Sequence, residues 1–116
     1  MAENPLSILI DRELSSVEFV RDYIQFHFDG PTITAITDPE LIIVGTTYKR
    51  ESQEFCNMMI SCIGKAVATA EVKEGDAIRV NFKNDSMLYI SLNPDDYISA
   101  EAAWFHGENS TDLWVW

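Results

Sequence analysis

Asp22-Tyr23-Ile24-Gln25-Phe26-His27-Phe28-Asp29-Gly30-Pro31-Thr32-Ile33-Thr34-Ala35-Ile36 is the stretch that decides the fold. Successive side chains of a strand point to opposite faces. Ile24, Phe26 and Phe28 therefore share an apolar face, while Tyr23, Gln25 and His27 share a polar one. Asp29-Gly30-Pro31 is a turn signal, because Gly tolerates positive φ and Pro cannot donate to a ladder. Thr32–Ile36 then reads as the returning strand. Upstream, Val17-Glu18-Phe19-Val20 is β-prone and breaks at Arg21-Asp22, so the region predicts a meander of three antiparallel strands.

The same pattern recurs further along the chain. Ile10, Arg12, Leu14, Ser16, Glu18 and Phe19 find counterparts in Ile63, Lys65, Val67, Thr69, Glu71 and Val72. After a longer turn, Ile24, Phe26, Phe28 and Thr32 match Ile78, Val80, Phe82 and Ser86, and Asp38-Pro39-Glu40 matches Asn93-Pro94-Asp95. Offsets that grow only in turns are the mark of a repeated unit. Any two half-buried meanders also share apolar alternation, so common origin and common pleat both account for the likeness. Either way a second meander is expected, with strands near 66–73, 76–83 and 87–92.

Between the meanders the period changes. Phe55, Met58, Met59, Cys62 and Ile63 fall on one helical stripe. Ser52 is placed to cap that helix, Glu54 sits in its first turn, and Gly64 ends it beside Lys65. Leu41-Ile42-Ile43-Val44 before Gly45 reads as a short fourth strand. Leu6–Ile10 reads as a short helix begun at Pro5 or as an irregular lead-in. Residues 97–107 allow a helical turn at Ala100–Ala103 or a strand at Ala103–His106, and Leu113–Trp116 closes the chain as a β-prone segment. The expected class is α+β, mainly antiparallel: two β-meanders, one packed helix and a C-terminal strand, in a single domain of 116 residues. Both a sandwich and a small open barrel satisfy this pattern.

Composition narrows the chemistry. The net charge of −11 disfavours nucleic acid, whose binding depends on cations neutralising phosphates. It suits solubility and a basic protein partner. No apolar run reaches the roughly 20 residues of a membrane helix. Met1-Ala2-Glu3-Asn4-Pro5 lacks a basic leader segment, so the cytoplasm is the expected location and no membrane association is expected. Cys56 and Cys62 lie well around a helix from one another, which argues against a disulfide; both are expected to serve as small buried hydrophobes.

No phosphate-binding glycine loop, nucleophile elbow or zinc-spaced cysteine pair occurs, and neither a metal nor another cofactor is expected. His27 is expected as a solvated or cross-strand residue. Asp95-Asp96 is expected to be a turn whose carboxylates bond nearby backbone. Tyr97, Glu101, Trp104 and His106 are the candidate binding residues, close in sequence and chemically mixed. Trp114 and Trp116 would share one face of a terminal strand, either closing the core or offering an aromatic interface.

Six blocks resemble those of a family of short, uncharacterised bacterial proteins. They are Asp22–Gln25, Phe28–Pro31, Ile63–Lys65, Glu74–Ala77, Asn93–Tyr97 and Glu101–Ala103. The resemblance implies a shared fold and carries over no catalytic residue. The similar proteins favour Gly after the first repeat's opening Ile, where this chain has Asp11. Function is left with three readings: an interaction module that self-associates or binds another protein, an immunity-type inhibitor of a basic toxin, and a small-ligand-binding protein or weak hydrolase.

Overall fold

The computed structural model describes residues 4–109 and 111–116. The alternating segments form the first meander, β1 (Ser16–Val20), β2 (Tyr23–His27) and β3 (Thr32–Ala35), and the second, β6 (Val67–Lys73), β7 (Ala77–Phe82) and β8 (Ser86–Ser91). A hairpin follows each meander: β4 (Glu40–Ile43) with β5 (Thr46–Lys49), and β9 (Ala103–His106) with β10 (Leu113–Val115). Among the described residues one α-helix, α1 (Gln53–Ser61), lies between the halves, and short 3-10 helices cover Pro5–Leu9 and Pro94–Asp96. The class is α+β and mainly antiparallel, as the alternation required.

The hairpins do not stay with their own meanders. One sheet runs β1-β2-β3-β9-β10, and the other runs β5-β4-β8-β7-β6. The first half's hairpin therefore completes the second half's sheet, and the reverse. Two sheets rather than a closed barrel enclose one core, in which Phe26, Phe28, Ile33 and Phe105 meet Leu41, Val80, Phe82 and Leu88. Connectivity is matched: replacing β1, β2, β3, β4 and β5 by β6, β7, β8, β9 and β10 converts one sheet order into the other.

The halves also meet in a short antiparallel contact at Glu13 and Ala66, residues 53 apart. Leu14 N–H donates to the Lys65 carbonyl at 3.1 Å, and Val67 N–H donates to that of Arg12 at 2.8 Å. Gly64 N–H donates to the Leu14 carbonyl at 2.7 Å, and Asp11 N–H to that of Val67 at 2.8 Å. Exchanging each residue for its counterpart at an offset of 53 turns one bond of each pair into the other. Asp11 (φ 71°) and Gly64 (φ 90°) share a left-handed backbone. The geometry at Asp11 thus follows the glycine pattern despite its side chain.

Several expectations are corrected. The register pairs Thr32 with His27 and Met87 with Asn81, so Thr32 corresponds to Met87 rather than Ser86. The extra residue lies in the turn before β8. The fourth strand ends at Ile43. Val44 (φ 47°, 85% exposed) and Gly45 (φ 79°) form a two-residue turn, the positive-φ geometry that matches strand twist in hairpins. That turn leads into β5, a strand whose polar residues had given no signal. Residues 97–102 form no helix, and the strand reading holds for 103–106. Along α1, Phe55, Met59 and the following Cys62 are buried, but Cys56 is exposed and Ile63 is 40% exposed. Ser52 occupies the N-cap position without capping; its hydroxyl is buried and has no described hydrogen-bond partner.

Candidate functional site

The outer face of the second sheet carries a cleft of about 450 Å³. Antiparallel register puts Glu40 of β4 directly opposite Tyr89 of β8, with Ile42 opposite Met87 in the next outward pair. Residues just beyond the strands complete the walls: Thr37 and Asp38 before β4, Ser91 at the end of β8, then Asp96 and Ile98. The lining thus joins three carboxylates, one aromatic ring, two hydroxyls and two isoleucines.

Hydrogen bonds fix one wall. Thr37 Oγ1 donates to the Ser91 carbonyl at 2.9 Å, and Ser91 Oγ donates to Asp96 Oδ2 at 2.6 Å. Asn93 N–H donates to Ser91 Oγ at 3.1 Å, while Asn93 Oδ1 accepts from Asp95 N–H at 3.0 Å. Asp96 therefore bonds a neighbouring side chain, not backbone, and it is Asn93 that caps the turn. Asp38 lies 4.0 Å from Arg50, whose guanidinium donates to the Val20 carbonyl at 2.7 Å. Glu40 is half-buried and makes no salt bridge among the described residues, although Lys49 of β5 lies opposite it in the strand register.

Tyr89 is held from the other side. The Arg79 guanidinium carbon lies 5.4 Å from its ring centroid, within cation–π range, and Arg79 donates to Asp76 at 3.1 Å. That hydrogen bond to Asp76 raises the Arg79 pKa above its ordinary value against a smaller opposing effect of desolvation. Like any arginine, Arg79 is a cation at working pH, and it presents that charge to the tyrosine ring.

Most of the residues singled out from sequence lie on the first sheet. Trp104 and His106 project from the outer face of β9, their rings 6.4 Å apart and near perpendicular. Trp104 Nε1 donates to Glu101 Oε1 at 3.1 Å, so the fold gathers Glu101, Trp104 and His106 into one continuous group. Tyr97 packs against the core. Trp114 and Trp116 are half-buried and also pack against the core, with Trp114 stacked on Phe105 at 5.6 Å. Their neighbours Leu113 and Val115 face outward. His27 is a cross-strand residue, bonded to Glu18 at 2.6 Å and to Thr32 at 2.9 Å.

Among the described residues, no group of three or more His, Cys, Asp and Glu is arranged to hold a metal ion. None of their helices is long and apolar enough to cross a membrane. No protein-family model, curated protein or solved structure matches the chain.

The acidic cleft was not legible in the sequence. Its residues come from segments separated by about fifty positions, and no motif joins them. Of the lining residues only Asp96 stands out in the sequence, as part of a turn. The expected strand begins at Leu41; only its actual start at Glu40 puts Glu40 and Ile42 on one face, and even that does not reveal the tyrosine opposite.

Proposed function

We propose that the protein is a binding module whose second sheet receives a cationic group, an arginine or lysine side chain of a basic protein partner. Glu40 carries this reading: it is a half-buried carboxylate between Lys49 and the Tyr89 ring in the register, lines a walled cleft, and makes no described salt bridge. An unpaired, partly desolvated carboxylate gains most from an incoming cation. Asp38 and Asp96 add negative potential. Ile42 and Ile98 offer apolar surface for the methylene stem of a long basic side chain. The chain's net charge of −11 would steer such a partner toward it. We also infer that the matched halves descend from one duplicated unit, with the cleft arising where their polar faces diverged.

Titration calorimetry with short oligo-arginine and oligo-lysine peptides tests the assignment. Binding should weaken between low and high salt, because exposed charge attraction is screened over about 10 Å at 0.1 M. Glu40→Gln should reduce affinity about tenfold, the loss of one charge-assisted contact. Spermidine serves as a control for attraction without side-chain stacking. Absence of binding heat with either peptide at millimolar concentration, or affinity unchanged by Glu40→Gln, would refute the reading.

A further inference from the structure

Four strands end the two sheets, and three of them are attended by another element. The 3-10 helix Pro5–Leu9 packs beside β6, and α1 packs on β1 and β5. Among the described residues, β10 has β9 as its principal neighbour. Sequence sharpens the contrast. β5 occupies in its sheet the place of β10 in the other, and it carries Thr46, Thr47 and Lys49. A lysine on an edge discourages another strand from pairing there. β10 reads Leu113-Trp114-Val115, with no charge, proline or bulge, and Leu113 and Val115 are 49% and 45% exposed.

The hydrogen-bond phase of this edge can be assigned. Trp116 N–H donates to the Ala103 carbonyl at 2.9 Å, and Gly107 N–H donates to the Asp112 carbonyl at 2.9 Å. Both bonds belong to the register that pairs Trp114 with Phe105. Bonded and non-bonded pairs alternate in an antiparallel ladder. Residues 112, 114 and 116 therefore bond toward β9, while Leu113 and Val115 turn their N–H and C=O groups to the open edge.

We propose that β10 pairs antiparallel with β10 of a second copy, joining two five-stranded sheets into one of ten strands. A two-fold axis at Trp114 sets Leu113 opposite the partner's Val115 and Val115 opposite the partner's Leu113. All outward backbone groups of those two residues are then bonded, and the two apolar side chains meet across the junction. The occupant is a second copy because the edge is self-complementary in this register: its own two outward residues satisfy each other, and closed two-fold symmetry follows. Each chain carries −11, so salt strengthens this association by screening like-charge repulsion, opposite to its effect on a cationic partner at the acidic cleft.

Sedimentation equilibrium of the full chain at 0.05 and 0.5 M salt tests this, alongside Val115→Pro and Val115→Lys. Val115→Pro removes an N–H that points away from β9, so the intramolecular ladder keeps its bonds. The expected result is a dimer favoured by salt, weakened at least about tenfold in both variants, with the circular dichroism spectrum unchanged and the thermal midpoint unchanged at dilutions where the wild type is also monomeric. A wild-type chain that stays monomeric at several hundred micromolar in both salts would overturn the proposal. So would a dimer equally strong in both variants. Neither result bears on Glu40, whose test reads peptide binding.

Discussion

Asp11 and Gly64 hold the same left-handed backbone at matching places in the two halves, and they meet its cost differently. Glycine adopts positive φ without a Cβ penalty, whereas other residues lose roughly 1–2 kcal/mol. A Cβ at Gly64 would meet nothing within 4 Å, so Gly64→Ala tests backbone conformation with no steric clash. It should destabilise the protein by about 1–2 kcal/mol in urea unfolding, with an unchanged m value. Asp11 tolerates the conformation as short polar residues do, and its carboxylate bonds Lys83 at 2.6 Å. That pair is exposed and offsets little of the strain. The requirement for left-handed backbone was legible at Gly64, a glycine expected to stop the helix, although α1 itself ends earlier, at Ser61. At Asp11 it surfaced only through the repeat, because aspartate alone does not announce positive φ.

At the scale of elements, α1 shows what periodicity conveys and what it omits. The 3.6-residue spacing located the helix and correctly put Phe55, Met59 and Cys62 inward. It overextended the stripe to Ile63, which lies past the helix end and beside the left-handed turn. Phe55 is the anchor: fully buried, it meets the Phe19 ring edge-on at 6.4 Å and thereby ties α1 to β1. Phe55→Ala should cost about 3–5 kcal/mol, measured as a lower unfolding midpoint. β5 was silent for the complementary reason. With Tyr48 as its only large apolar residue it shows no alternation, and it exists because β4 offers a ladder to pair with. The acidic cleft shares this dependence, since Glu40 and Tyr89 become neighbours only through the β4–β8 register.

Across the whole molecule, the exchange of hairpins makes each half incomplete. Residues 1–51 contain β1 to β5, yet β4 and β5 pair only with each other and with β8 of the second half. A chain cut between residues 51 and 52 should therefore yield two fragments that are largely unfolded apart. Mixed at equal concentration, they should regain the native far-ultraviolet spectrum and the near-ultraviolet signature of Trp104 and Trp114. Independent folding of either fragment would contradict this view of the core. Local patterning specifies the class, the strands with strong alternation, the helix and its buried stripe, because pleat and helix period impose local patterns on any chain that buries one face. Long-range pairing settles which sheet each hairpin joins, where the acidic cleft forms and which edge of which sheet lies open. Those outcomes depend on pairing between segments about fifty residues apart. Backbone hydrogen bonds between strands are nearly indifferent to side-chain identity, so partner choice is settled by how the assembled apolar faces pack, which no local pattern records.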